Sequence, residues 1–277
     1  MEEYFEKLDY NKIKKQIYEF DNLNFNDISD LEIENKILDI ITVDNKKYIN
    51  SYLVEIPKGE IFYRIRRNYN FTKDIDKNNE IDILNFLGKP YPDIGRMNKK
   101  GEEGIYFSSN LETAMLECNI KNDDVFSLAI FENNQKIDLL AAFINNKYEK
   151  ELSDENRKKA EMLNSFIYKY LLKQSKGDKN IYRITNVLKK IFSEVLQRDG
   201  TIYVSAKNKK DFNSHINKKF SYKLDLKYVF LVNKKNDNLK NLKTIKVIDN
   251  KKVSYAFEEK EINNILNSDN FIFNTFY

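Results

Sequence analysis

Apolar side chains near the start of the chain recur three to five residues apart. Between Glu2 and Phe20 they are Tyr4, Phe5, Leu8, Ile13 and Ile17, the spacing of one helix with a buried stripe. A second run over 33–41 repeats the pattern. Together they predict an N-terminal helical layer within residues 1–57. It should pack on the domain C-terminal to it, because no stretch rich in Gly, Ser or Pro separates the two. From Glu60 to Arg66 the period shortens to two, with aromatic and β-branched residues, which predicts a strand. Residues 68–103 include Gly88-Lys89-Pro90-Tyr91-Pro92 and read as a long irregular loop with one short helix near 81–87. Loops of that length are uncommon unless they have a function. Residues 104–109 read as a short strand. Ser109 and Glu112 have capping-box spacing for a helix through about Cys118. A strand running straight into a capped helix makes a natural edge for a site.

Further strands are expected at 125–131, 136–140, 201–205 and 222–232, with a pair at 243–248 and 253–257. Two long helical patterns, 154–174 and 182–198, lie among them, the second stopped by Asp199-Gly200. The mixture lacks regular strand-helix alternation, so the fold class is α+β. We expect a core domain over 58–235, with 236–277 adding a C-terminal strand pair and a helix packed on the core.

The 277 residues suffice for a sizeable core. The longest apolar run, Leu139-Leu140-Ala141-Ala142-Phe143-Ile144, is far short of the roughly 20 residues a bilayer crossing needs. No membrane association is expected. Met1-Glu2-Glu3-Tyr4 is acidic where a secretory leader is basic and then apolar, so the expected location is cytoplasmic. One cysteine and one histidine can form neither an internal disulfide nor a Cys/His zinc cage, and no metal site is expected. The net charge of +4 permits nucleic-acid binding without demanding it. Lysine clusters at 207–210, 218–219 and 234–235, set among many Tyr and Phe, would suit a non-catalytic module that stacks single strands. Asp211 and Asp237 interrupt them, and nucleic acid is not the expected partner.

Phosphate-loop, dinucleotide-fold, hydrolase-elbow and zinc-protease signatures are all absent. His215, in a lysine-rich polar segment, reads as a solvated surface side chain, and Cys118 as a packing thiol. Three separated patches stand out. They are Phe62-Tyr63-Arg64-Ile65-Arg66; then Gly95-Arg96-Met97-Asn98 with Gly104-Ile105-Tyr106-Phe107-Ser108 and Thr113-Ala114-Met115-Leu116-Glu117; then Asp199-Gly200-Thr201-Ile202-Tyr203-Val204-Ser205. In this order they resemble the RES-domain family, whose known members are NAD-degrading toxins related in fold to ADP-ribosyltransferases. The resemblance covers roughly residues 58–235. It implies an ADP-ribosyltransferase-like mixed sheet, NAD as substrate with no further cofactor, and a toxin or immune-effector role held in check by an inhibitory protein such as an antitoxin or immunity protein. It assigns Arg64 and Arg96 as the family arginines, Tyr106 as the strand aromatic, Glu117 as the acid and Ser205 as the serine. Met97 stands where an aromatic is expected.

The chemistry of these side chains agrees with that assignment. Cleaving nicotinamide from ribose releases a neutral leaving group and builds positive charge on the sugar, so no general acid is required. The transition state favours a carboxylate beside the sugar, as in glycosidases, and Glu117 is the candidate. The pyrophosphate favours guanidinium forks, for which Arg64 and Arg96 are candidates. Tyr106 and Ser205 could hold the nicotinamide ring and its amide, with Tyr63 and Asn98 as further contacts. Water, phosphate or a protein side chain could accept the ADP-ribose, and transfer to a protein is the alternative activity. By periodicity alone Glu117 reads as a surface acid and Arg64 as an exposed edge arginine.

Overall fold

The computed structural model describes residues 2–48, 51–67, 93–142, 152–175, 177–193, 198–208, 212–235, 238–248 and 251–254. The helix expected near 81–87, the stretch 88–92 and the C-terminal helix lie outside them.

The first apolar stripe is two helices rather than one. After α1 (Glu2–Glu6), the Asp9 carboxylate accepts the Asn11 and Lys12 amides and starts α2 (Tyr10–Asp21). α3 (Asp30–Ile41) begins at a reciprocal capping box between Ser29 and Glu32. A small hairpin comes next, β1 (Thr42–Val43) against β2 (Lys46–Lys47). Its turn residues Asp44 and Asn45 sit at φ of 46° and 61°, a region that Asp and Asn tolerate.

The remaining strands are β3 (Ser51–Ile56), β4 (Ile61–Arg67), β5 (Gly104–Ser108), β6 (Val125–Asn133), β7 (Ile137–Ala142), β8 (Gly200–Val204), β9 (Phe212–Asn217), β10 (Leu224–Lys235), β11 (Asn238–Ile248) and β12 (Lys251–Ser254). They form one sheet in the order β12-β11-β10-β6-β4-β5-β9-β8-β7-β3. The β7–β8 pair is parallel and its neighbours are antiparallel, so the sheet is mixed and the fold α+β, as expected. β3 is a strand absent from the periodicity-based expectation. It pairs with β7 and buries Val54 and Ile56 while Leu53 and Glu55 face out.

The described fold also has three further α-helices, α4 (Leu111–Glu117), α5 (Asp154–Leu172) and α6 (Lys179–Ser193), and a 3-10 turn over Lys218–Lys223. The N-cap of α4 is Asn110, whose side chain accepts the Thr113 amide at 2.8 Å, and not Ser109. The Ser109 hydroxyl instead accepts the Phe212 amide of β9. α1, α2, α3, α5 and α6 share one apolar core, with Phe5, Phe20, Ile37, Phe166 and Ile184 at its centre. A separate apolar cluster joins Leu111 and Ala114 of α4 with Ile65 of β4, Leu128 of β6 and Phe230 of β10.

One joint in the sheet opens a cavity. β4 pairs with β6 along its whole length but with β5 only through Tyr63 and Ser108. The two strands splay apart beyond that pair, and a space opens between α4 and the α5–α6 connection. On the β5 side, Gly104 makes room for the buried His215 ring, since a Cβ there would lie 2.1 Å from its Nε2. Gly104→Ala is therefore expected to lower the melting temperature by several degrees, the effect of roughly 1–3 kcal/mol of overpacking, in a thermal denaturation scan. No helix among the described residues is long and apolar enough to cross a membrane.

Candidate active site

The space at the splayed joint is a cavity of about 720 Å³, within the range of small-molecule sites. Tyr63, Arg64, Arg96, Tyr106, Glu117 and Tyr203 all line it. Three stretches distant in sequence thus meet around one opening. Ser205 and Asn98 stand just behind its wall, each bonded to a lining side chain.

Arg64 is not at an edge. β4 runs between β6 and β5, and the side chain is 8% exposed. Where β5 leaves β4, Nη1 of Arg64 donates to the Tyr106 carbonyl at 3.0 Å. Its Nε is buried without a partner among the described residues. A guanidinium so little engaged by protein, at the wall of a cavity, is available to an anion.

Arg96 has different surroundings. Its guanidinium donates to the carbonyls of Tyr170, Leu171 and Lys173, the last at 3.0 Å, and lies 5.9 Å from the Tyr182 ring centre. It closes the C-terminal end of α5, where carbonyls lack partners and favour a cation. The turn carrying it is held from α6: Thr185, Asn186 and Lys189 donate to the carbonyls of Arg96, Gly95 and Met97. Tyr106 fastens the same turn from β5, accepting the Met97 amide at 2.7 Å and donating to Asn98 Oδ1 at 2.8 Å. The Asn98 amide nitrogen goes to the carbonyls of Asp93 and Lys99, so this buried side chain is used within the turn. Gly95 permits the close approach, for its Cβ would fall 2.3 Å from Asn98 Oδ1. Met97, in place of an aromatic, is 1% exposed and joins the helical core.

Glu117 is the last residue of α4. Its Oε1 accepts two hydrogen bonds, from Ser205 Oγ at 2.5 Å and from Asn213 Nδ2 at 2.9 Å. Ser205 lies just after β8, and its hydroxyl accepts the amides of Lys207 and Asn208, which leaves its own proton for the carboxylate. A carboxylate at a helix C-terminus meets the negative end of the dipole. Lys207 offsets this: its Nζ donates to the carbonyls of Leu116 and Glu117 at 3.0 and 2.8 Å and to Asn119 Oδ1. The lysine that could have served nucleic acid is thus turned onto α4.

His215 corrects the sequence expectation. It is wholly buried on β9, opposite Tyr106 in the β5–β9 register, with ring centres 4.8 Å apart. Burial first, and then the charges of Lys189 and Arg64, push it down to about 3, so it is neutral. Burial also raises Tyr63 and Cys118, and the Cys118 thiol contacts the Ile65 carbonyl. Asn213, Ser108 and Lys207 are site residues that periodicity did not single out. Among the described residues no group of His, Cys, Asp and Glu could hold a metal ion.

No protein-family model and no curated protein matches the chain. Among solved structures, the crystal structure of the M. tuberculosis MbcT–MbcA toxin–antitoxin complex holds a chain that aligns with 65% of this one and 87% of its own length. The identity is 12% and the TM-score 0.37, a likeness at which activity does not transfer.

Proposed function

We propose that the chain is an NAD-degrading enzyme that cleaves the bond between nicotinamide and ribose. The observation that carries this reading is the pairing of an anchored carboxylate, Glu117, with a buried and under-engaged guanidinium, Arg64, across one cavity. In the reaction the C1′–N bond breaks and its electron pair leaves with the nicotinamide nitrogen. Positive charge gathers on the ribose, and the Glu117 carboxylate stabilises it without proton transfer. The acceptor oxygen then adds to C1′; for water, one proton is released to solvent. Arg64 binds the pyrophosphate. Arg96, engaged at the end of α5, adds positive potential to the same wall, and Tyr63 and Tyr106 offer ring surface to the nicotinamide. The RES-like motifs support a toxin or immune-effector role for such an activity, with an inhibitory protein as partner.

Incubating the purified chain with NAD and following nicotinamide by chromatography tests the reading. Nicotinamide should appear as NAD disappears, and NAD recovered intact would overturn it. The second product identifies the acceptor: ADP-ribose for water, the phosphate ester at that same anomeric carbon for phosphate, a modified protein for transfer.

Arg64→Ala is expected to lower kcat/KM roughly ten- to a hundredfold, chiefly through KM, because a charge-assisted fork to phosphate is lost. Arg64→Lys should recover only a small part, since a point charge does not replace the planar fork. Initial rates against NAD concentration read both.

A further inference from the structure

Asn213 belongs to none of the three motifs, yet its amide lies at the centre of the site. It sits on β9 between β5 and β8, directly opposite Ser108 on one side and Tyr203 on the other. Ladders on both sides fix its backbone, and the residue is 5% exposed. An ionised carboxylate only accepts hydrogen bonds, so the amide nitrogen must face Glu117 and the amide oxygen must face away. Ser108 meets that oxygen: its hydroxyl donates to Asn213 Oδ1 at 2.7 Å. A relay Ser108, Asn213, Glu117 therefore runs from the sheet to the acid, each member with one direction of donation.

Resting on the NAD-cleaving reading, we propose that Asn213, oriented by Ser108, is a positioning residue that fixes the rotation of the Glu117 carboxylate and reserves Oε2 for the substrate ribose. Both protein donors, Asn213 Nδ2 and Ser205 Oγ, fall on the same oxygen, Oε1. They come from different elements, β9 and the loop after β8, and so constrain the group in two directions. Oε2 takes no hydrogen bond from the described residues, and Glu117 lines the cavity. A glutamate at a helix end has three side-chain torsions to restrict, and two buried anchors on one oxygen restrict them before substrate arrives. The chemical type of the second anchor matters as well. A lysine or arginine there would hold the carboxylate but cancel its charge beside the developing cation. A neutral amide orients it and leaves the charge in place.

The test is steady-state nicotinamide release from NAD by wild type, Asn213→Ala, Ser108→Ala, Glu117→Gln and the double variant Asn213→Ala/Glu117→Gln. Asn213→Ala should lower kcat roughly ten- to a hundredfold, the range of one hydrogen bond to a charged group, with KM unchanged. Ser108→Ala should lower kcat less, through the freed amide. Combined with Glu117→Gln, the Asn213→Ala loss should not multiply, because the charge it positions is already gone. Damage to packing would multiply in the double variant. Should Asn213→Ala not fold, Ser108→Ala combined with Glu117→Gln carries the same comparison. A wild type that releases no nicotinamide overturns the functional reading and this inference with it. An active wild type with Asn213→Ala equal to it, or with losses that multiply, overturns the inference alone.

Discussion

Glu117→Gln is expected to lower nicotinamide release from NAD about a hundred- to a thousandfold while leaving the melting temperature nearly unchanged. The substitution isolates charge from shape. A glutamine keeps an oxygen that can accept from both Ser205 and Asn213, so the two anchors at 2.5 and 2.9 Å survive. What changes is the atom facing the cavity, from an anionic oxygen to an amide group. That atom stands where the sugar becomes cationic, and losing one preorganised electrostatic contact to a transition state costs about 2.7–4 kcal/mol in comparable cases. KM should change little, because the charge acts on a cation that exists only as the bond breaks. A variant as fast as wild type would remove Glu117 from the chemistry.

Acidification is expected to destabilise the chain steeply through one buried ring. His215 is held neutral down to about 3, by burial first and by Lys189 and Arg64 after it. In the unfolded chain the same ring titrates near 6.5. Below that value the unfolded state binds a proton that the folded state refuses, so stability present above about pH 6.5 is lost progressively as pH falls toward 3. The slope from this group alone approaches about 1.4 kcal/mol per pH unit. Urea midpoints measured from neutral to acid pH read it. His215→Leu lacks the slope, so its midpoint should fall less steeply with acidification than that of wild type. Parallel curves for the two proteins would contradict the buried, neutral ring.

That histidine also illustrates what the sequence could and could not convey. β4, β6, β8 and β10 were legible because their alternation is carried by aromatic and β-branched residues, and α5 and α6 because their stripes are long. β9 was not legible. One of its faces carries Phe212, Ser214 and Ile216, but the other carries Asn213 and His215, buried polar groups that erase the contrast on which period-two reading depends. Lysines flanking the segment completed the impression of a solvated surface. Burial of those polar groups comes from tertiary placement alone: β5 and β8 cover β9 on both edges, and Tyr106 covers the ring.

The site was legible to a different depth. The motifs named Arg64, Arg96, Tyr106, Glu117 and Ser205, and the fold brings these residues to one cavity or its immediate wall. Motif spacing singles out side chains but says nothing of how each is engaged. Arg64 keeps donors in reserve, whereas Arg96 is occupied by the carbonyls of α5. Asn213 and Lys207 could be found only once β9 and the connection leading into it were seen beside the end of α4.

The most direct measurement is a crystal structure of the chain soaked with ADP-ribose, the dinucleotide without its leaving group. The pyrophosphate should then lie within hydrogen-bond distance of the Arg64 guanidinium and a ribose hydroxyl on Oε2 of Glu117, with Oε1 still bound by Ser205 and Asn213. ADP-ribose bound elsewhere on the chain, or a cavity that stays empty at saturating ligand, would contradict that arrangement.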